Sequence, residues 1–130
     1  MRHARIVLSM TLSVCGTAQA QGLHAVRPLP GYACMELALA PEQITNPKVG
    51  VPIREAPSRS AAVASYAATV VVVRAPQQPT AGFLEVLRPT GQTGWIEAAH
   101  LRPWNNPYNP NAQCVPSMMS DGKPGFSVKR

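Results

Sequence analysis

Apolar and polar residues alternate in short runs along most of the chain, which is the period of half-buried β-strands. One run holds four successive valines, Val70 to Val73, and β-branched side chains of this kind favour a buried strand. Single helical turns are predicted at residues 40–43 and 98–101. The predicted strands cover residues 33–40, 51–54, 63–66, 69–74, 83–88 and 93–96. The pattern therefore predicts an all-β chain without a long helix.

Turn residues divide the chain into segments. The sequence contains 14 prolines and 9 glycines, which break helices and favour tight turns. Residues 21–33 are predicted to be irregular, and they open an N-terminal flank that runs to residue 47. Residues 48–104 carry the five closely spaced strands expected of a small barrel or sandwich. Residues 105–130 combine a Pro/Asn-rich connector with a small hairpin, for which Asp121-Gly122 is the turn signal.

The first twenty residues have the pattern of a secretory signal. Arginines at positions 2 and 5 precede an apolar stretch, and Ala18-Gln19-Ala20 supplies a cleavage site of the A-x-A type. Cleavage there makes Gln21 the first mature residue and predicts a periplasmic or secreted protein. The apolar stretch is about half the ~20 residues that a membrane span needs. A lipid anchor at Cys15 is disfavoured because Val14, which precedes it, is larger than a lipoprotein box normally allows.

Two cysteines, Cys34 and Cys114, remain after the predicted cleavage. In an oxidising compartment they permit a single intramolecular disulfide, which would enclose most of the domain. A metal pair and a nucleophilic thiol are the alternatives. No CxxC spacing supports either, and His24 and His100 are the only mature histidines. We therefore predict a Cys34–Cys114 disulfide and no metal site.

Charge and reactive side chains exclude several classes of function. Twelve basic and six acidic residues give a net charge of +6, but the basic residues are scattered. Nucleic-acid binding would require a clustered basic stripe with aromatic residues, so we expect none. Glu97 and His100 are the nearest approach to an acid–base pair, and a surface hydrogen bond explains them more simply. We find no catalytic set and no cofactor motif, and we expect a protein that is not an enzyme.

Residues 48–104 resemble the bacterial SH3-like (SH3b) domain. The resemblance rests on Val51-Pro52-Ile53-Arg54, on Gly82 to Val86 and, most specifically, on Gly91-Gln92-Thr93-Gly94-Trp95-Ile96 followed by Leu101. Pro52 and Ala56 depart from the family pattern, which has Asn and Gly at those positions. The resemblance implies a small SH3-like barrel tied by its disulfide to irregular flanks.

Domains of this family commonly bind peptidoglycan or peptides, which implies an exported, non-enzymatic binding module of the cell envelope. Aromatic side chains suit such ligands because they stack on sugars and on proline. The candidate contacts are Tyr66, Trp95 and Trp104, each with partial cover of the core as its structural alternative. A second hypothesis is an accessory subunit of an envelope assembly, in which strand edges or the segment 105–130, with Met118 and Met119, bind a protein partner.

Overall fold

The fold is all-β. The computed structural model describes residues 22–40, 42–43, 46 and 50–130. The predicted signal segment 1–20, with Cys15, and the predicted mature start Gln21 lie outside the described residues, as do Pro41 and Pro47 of the predicted turns. The strands are β1 (Ala25–Pro28), β2 (Tyr32–Leu37), β3 (Pro52–Arg54), β4 (Val63–Tyr66), β5 (Val70–Arg74), β6 (Phe83–Leu87), β7 (Thr93–Glu97), β8 (Leu101–Pro103), β9 (Gln113–Met119) and β10 (Pro124–Lys129).

Seven strands form the larger sheet, in the order β4-β3-β7-β6-β5-β2-β8. All of its pairings are antiparallel, and β4 and β8 lie at its two ends, so the sheet is open. Strand β2, from the N-terminal flank, lies between β5 and β8 and is therefore part of this sheet. A single 3₁₀ turn, Ala98–His100, leads from β7 into β8 and confirms the predicted helical turn.

The core lies on one face of the larger sheet. Alternate residues of the central strands point into it, and Val73 and Ile96 are fully buried, with 0% of each exposed. The buried cluster contains Met35, Leu37, Val51, Ile53, Val71, Val73, Leu84, Val86, Ile96 and Leu101. Burial of an aliphatic side chain of this size contributes about 1.5–3 kcal/mol, so this face provides most of the hydrophobic stabilisation.

The C-terminal hairpin belongs to a second, three-stranded sheet with the order β1-β9-β10. Gly122 lies in the hairpin turn with a φ of 79°, a conformation that glycine adopts without strain. The predicted disulfide is confirmed: Cys34 in β2 is bonded to Cys114 in β9, with the two Cα atoms 6.0 Å apart. This bond joins the small sheet to the larger one.

One prediction for the N-terminal flank is wrong. Residues 21–33 were expected to be irregular, but Ala25–Pro28 form β1, which pairs with β9. Only Ala25 is even partly buried in this strand, so an alternation of buried and exposed positions is missing. The strand is stabilised instead by its pairing with β9, some ninety residues later in the sequence, where Ala25 lies opposite Met119.

Among the described residues, no helix is long and apolar enough to cross a membrane.

Candidate functional site

A row of polar and aromatic residues crosses the larger sheet on the face opposite the core. Trp95 in β7 lies between the buried residues Gly94 and Ile96, so its indole points away from them. Directly opposed residues of neighbouring strands share a face. Arg54 of β3 and Glu85 of β6 are the partners of Trp95 on its two sides. Trp95 is therefore flanked by one positive and one negative side chain.

The row continues through Arg74 to a second aromatic residue. Arg74 of β5 forms an ion pair with Glu85, with an Nη2–Oε1 distance of 3.2 Å. Arg74 is the register partner of Tyr32 in β2, and its guanidinium lies 5.5 Å from the centre of the Tyr32 ring. This distance permits a cation–π contact. The hydrogen bond and charge of Glu85 raise the pKa of Arg74 above its usual value.

We call these five residues the Trp95 row: Arg54, Trp95, Glu85, Arg74 and Tyr32. Three strand spacings separate Trp95 from Tyr32, which corresponds to roughly 14 Å across the sheet. Two aromatic rings at this separation, with charged groups between them, can stack on two units of an extended ligand. The charged groups can also hydrogen-bond to the polar substituents of such a ligand.

Trp104 lies beside the disulfide at the Tyr32 end of the row. It is half-buried and lines an open groove of about 400 Å³. Tyr32, Cys34 and Cys114 line the same groove, so the disulfide forms part of its wall. Tyr32 therefore connects the groove to the row that contains Trp95.

Tyr66 is in a different place. It lies in the end strand β4 with 65% of its surface exposed. Its ring borders an apolar cavity of about 190 Å³, which Phe126 of the C-terminal hairpin also lines. Neither Trp95 nor Trp104 lines this cavity. The structure thus relates Trp95 and Trp104 through Tyr32, but it does not bring Tyr66 to them.

Glu97 and His100 form the surface hydrogen bond that their spacing indicated. His100 Nε2 lies 2.8 Å from Glu97 Oε2, and the other carboxylate oxygen accepts a hydrogen bond from Arg59 Nε. The bond from Arg59 is the largest influence that lowers the pKa of Glu97 below its usual value. Glu97 is thereby held as a carboxylate between two donors, which is an arrangement suited to tying the turn at Arg59 to β7.

Metal ligation finds no support in the part of the chain that the structure describes. There, no group of three or more His, Cys, Asp or Glu side chains is close enough to hold an ion. Cys34 and Cys114 are already joined to each other and are not available as ligands.

Sequence reasoning missed Tyr32. It was assigned to an irregular segment, whereas β2 begins at Tyr32; residues 32–34 are all partly buried, so no alternation marks the start of this strand. The partner of Tyr32 is Arg74, and this pairing depends on contact between residues that are distant in the sequence.

No protein-family model, curated protein or solved structure matches the chain.

Proposed function

We propose that the chain is an exported, non-enzymatic binding module of the cell envelope, and that the Trp95 row is its ligand-binding surface. The observation that carries the proposal is the row itself. An indole and a phenol ring lie on the outer face of the larger sheet, and the Arg74–Glu85 ion pair occupies the positions between them. Aromatic and charged groups fixed in this way favour an extended polar ligand, such as a peptidoglycan strand or an envelope peptide.

Export is supported by the covalent structure. Disulfides persist in oxidising compartments and are rare in the cytosol. The Cys34–Cys114 bond, together with the signal pattern of residues 1–20, favours a periplasmic or secreted location.

The resemblance to the bacterial SH3-like family is part of the same proposal, and two glycines of its most specific motif support it. Gly91 has a φ of 86° in the turn between β6 and β7. Gly94 faces Ile53 so closely that any Cβ would collide with the Ile53 Cγ2 atom. Both positions of the Gly-x-x-Gly-Trp pattern therefore have a conformational or steric reason to be glycine. A barrel would form if the open larger sheet curled until its end strands approached each other.

Co-sedimentation with purified peptidoglycan tests the proposed function. We expect the mature chain to sediment with the polymer and Trp95→Ala to bind about tenfold more weakly, a loss of ~1.4 kcal/mol. Tyr108→Ala is the matched control, because Tyr108 is an aromatic residue with 96% of its surface exposed and lies outside the row. Circular dichroism verifies that each variant is folded.

The proposal fails if the wild-type chain stays in the supernatant. It fails equally if Trp95→Ala and Tyr108→Ala sediment alike and as well as the wild type does.

The exposed apolar residues of the small sheet favour an accessory subunit as a second candidate function. Val26 in β1 is 62% exposed and Val128 in β10 is 44% exposed. Both strands are edges of this sheet, where unpaired backbone groups can accept a further strand from a partner protein. Crosslinking in the periplasm separates the two candidates, because a single dominant protein adduct through β1 or β10 supports the accessory role and its absence opposes it.

A further inference from the structure

The apolar cavity beside Tyr66 contains one group that its surroundings do not satisfy. Arg88 lines this cavity, and its Nε atom is buried without a hydrogen-bond acceptor among the described residues. Its Nη2 atom donates to Gln92 Oε1 at 2.7 Å, which fixes the guanidinium in place. Because Nε is buried, a ligand can meet this guanidinium only through its Nη atoms, and the hydrogen bond of Nη2 to Gln92 is exposed. The positive charge of Arg88 is therefore accessible at this edge of the cavity.

The remaining wall of the cavity is mostly apolar. Ile53, Val70, Leu87 and Phe126 are among the residues that line it, and Arg88 is the only Arg, Lys, Asp or Glu of the described lining. Because no carboxylate among the described residues lines this wall, the positive charge favours an anionic partner. The volume of about 190 Å³ exceeds the ~150 Å³ that holds a benzene ring in an engineered protein cavity. One leucine or phenylalanine side chain would therefore fill it.

The strand beside the cavity indicates how such a group would be delivered. Tyr66 and Ser65 of β4 line the cavity, and β4 is an end strand of the larger sheet. An end strand offers backbone donors and acceptors to an incoming extended chain. Val63, also in β4, leaves 42% of its surface exposed and adds apolar area along the same edge.

We infer that the cavity binds the C-terminal residue of a peptide. The apolar side chain of that residue enters the cavity, its free carboxylate pairs with the Arg88 guanidinium through the Nη atoms, and the preceding residues lie along β4. None of the cavity residues belongs to the Trp95 row. The peptide inference can therefore be wrong while the proposed function is right, and the reverse also holds.

Fluorescence anisotropy with a labelled pentapeptide, Gly-Gly-Gly-Val-Phe, tests the inference on the wild-type protein. We expect the peptide with a free carboxylate to bind at least tenfold more tightly than the same peptide ending in a carboxamide. This comparison needs no protein variant, so it does not depend on whether a substitution folds. Equal binding of the two peptides, or no binding of either, overturns the inference.

Two variants assign the preference to Arg88. Arg88→Gln is expected to abolish the difference between acid and amide, whereas Arg27→Gln, which removes an exposed arginine of β1, is expected to keep it. Retention of the difference in a folded Arg88→Gln protein contradicts the assignment.

Competition with N-acetylphenylalanine then separates a peptide terminus from a small aromatic acid. The inference predicts that this compound competes at least tenfold more weakly than the peptide, because it cannot pair with β4. Equally strong competition would contradict the peptide as ligand.

Discussion

At the scale of single residues, Gly94 shows how closely β7 approaches β3. A Cβ at position 94 would collide with Ile53 Cγ2 and would lie 3.4 Å from the carbonyl oxygen of Arg54. The backbone there has no room for a side chain, and this close approach brings Trp95 opposite Arg54.

Gly94→Ala is therefore expected to destabilise the fold by about 1–3 kcal/mol, the usual range for overpacking a core. Urea unfolding monitored by circular dichroism measures the free energy of unfolding. Gly22→Ala is the matched control, because nothing lies within 4 Å of a Cβ at that position. If both substitutions have the same small effect, the close approach of β7 to β3 is wrong.

Glu97 makes stability depend on pH. Its pKa is lower in the folded protein than usual, chiefly because of the hydrogen bond from Arg59. A lowered folded-state pKa means that the carboxylate stabilises the fold above its unfolded-state pKa, about 4.3 for glutamate. That contribution is lost as the pH falls through the folded-state pKa.

The free energy of unfolding of Glu97→Gln should therefore be lower than that of the wild type near neutral pH and should approach it in acid. Urea unfolding across this range measures the difference. Glu55→Gln, in the exposed turn after β3, is the control for removing a carboxylate. A difference between Glu97→Gln and the wild type that does not change with pH would contradict the role of Glu97.

At the scale of elements, local patterns were enough to place most strands. The four valines predicted β5, and Asp121-Gly122 predicted the hairpin of β9 and β10. Strand β1 was missed because it is stabilised by pairing with β9 and not by a local pattern. Tyr32 was missed because the start of β2 was predicted one residue too late. Membership of β2 in the larger sheet depends on pairing with β5 and β8, which no local pattern encodes.

Strand β7 supplies both a core residue and the central residue of the Trp95 row. Ile96 is fully buried, with 0% exposed, and adjoins Trp95. Ile96→Ala should cost about 2–5 kcal/mol, because it removes buried methyl groups and leaves a cavity. Val63→Ala, in the exposed edge strand β4, should change stability by less than about 0.5 kcal/mol. Thermal unfolding of the two variants measures the contrast, and equal losses would contradict the placement of the core.

At the scale of the whole molecule, the disulfide couples the two sheets. It joins residues 80 positions apart, so it restricts more than half of the unfolded chain. The chain-entropy relation gives a stabilisation of about 4.5 kcal/mol for a loop of this length. We expect a Cys34→Ser/Cys114→Ser double variant to lose a large part of this stabilisation, measured as the free energy of unfolding in urea. A loss below about 1 kcal/mol would mean that the two sheets hold together without the bond.

The disulfide also affects the candidate binding surface, because Cys34 and Tyr32 are alternate residues of β2 and both line the groove with Trp104. Removal of the bond should therefore disturb this groove more than it disturbs the far end of the row at Arg54. The covalent link and the binding surface thus belong to the same part of the molecule.

The most direct test of the proposed binding surface is nuclear magnetic resonance of the ¹⁵N-labelled protein, expressed from Gln21 onward, during titration with soluble peptidoglycan fragments. We predict that the largest changes in backbone amide and indole signals fall at Trp95, Glu85, Arg74 and Tyr32, with smaller changes at Trp104. Saturating fragments that leave these signals unchanged, or that shift only the residues of the small sheet, would contradict the account.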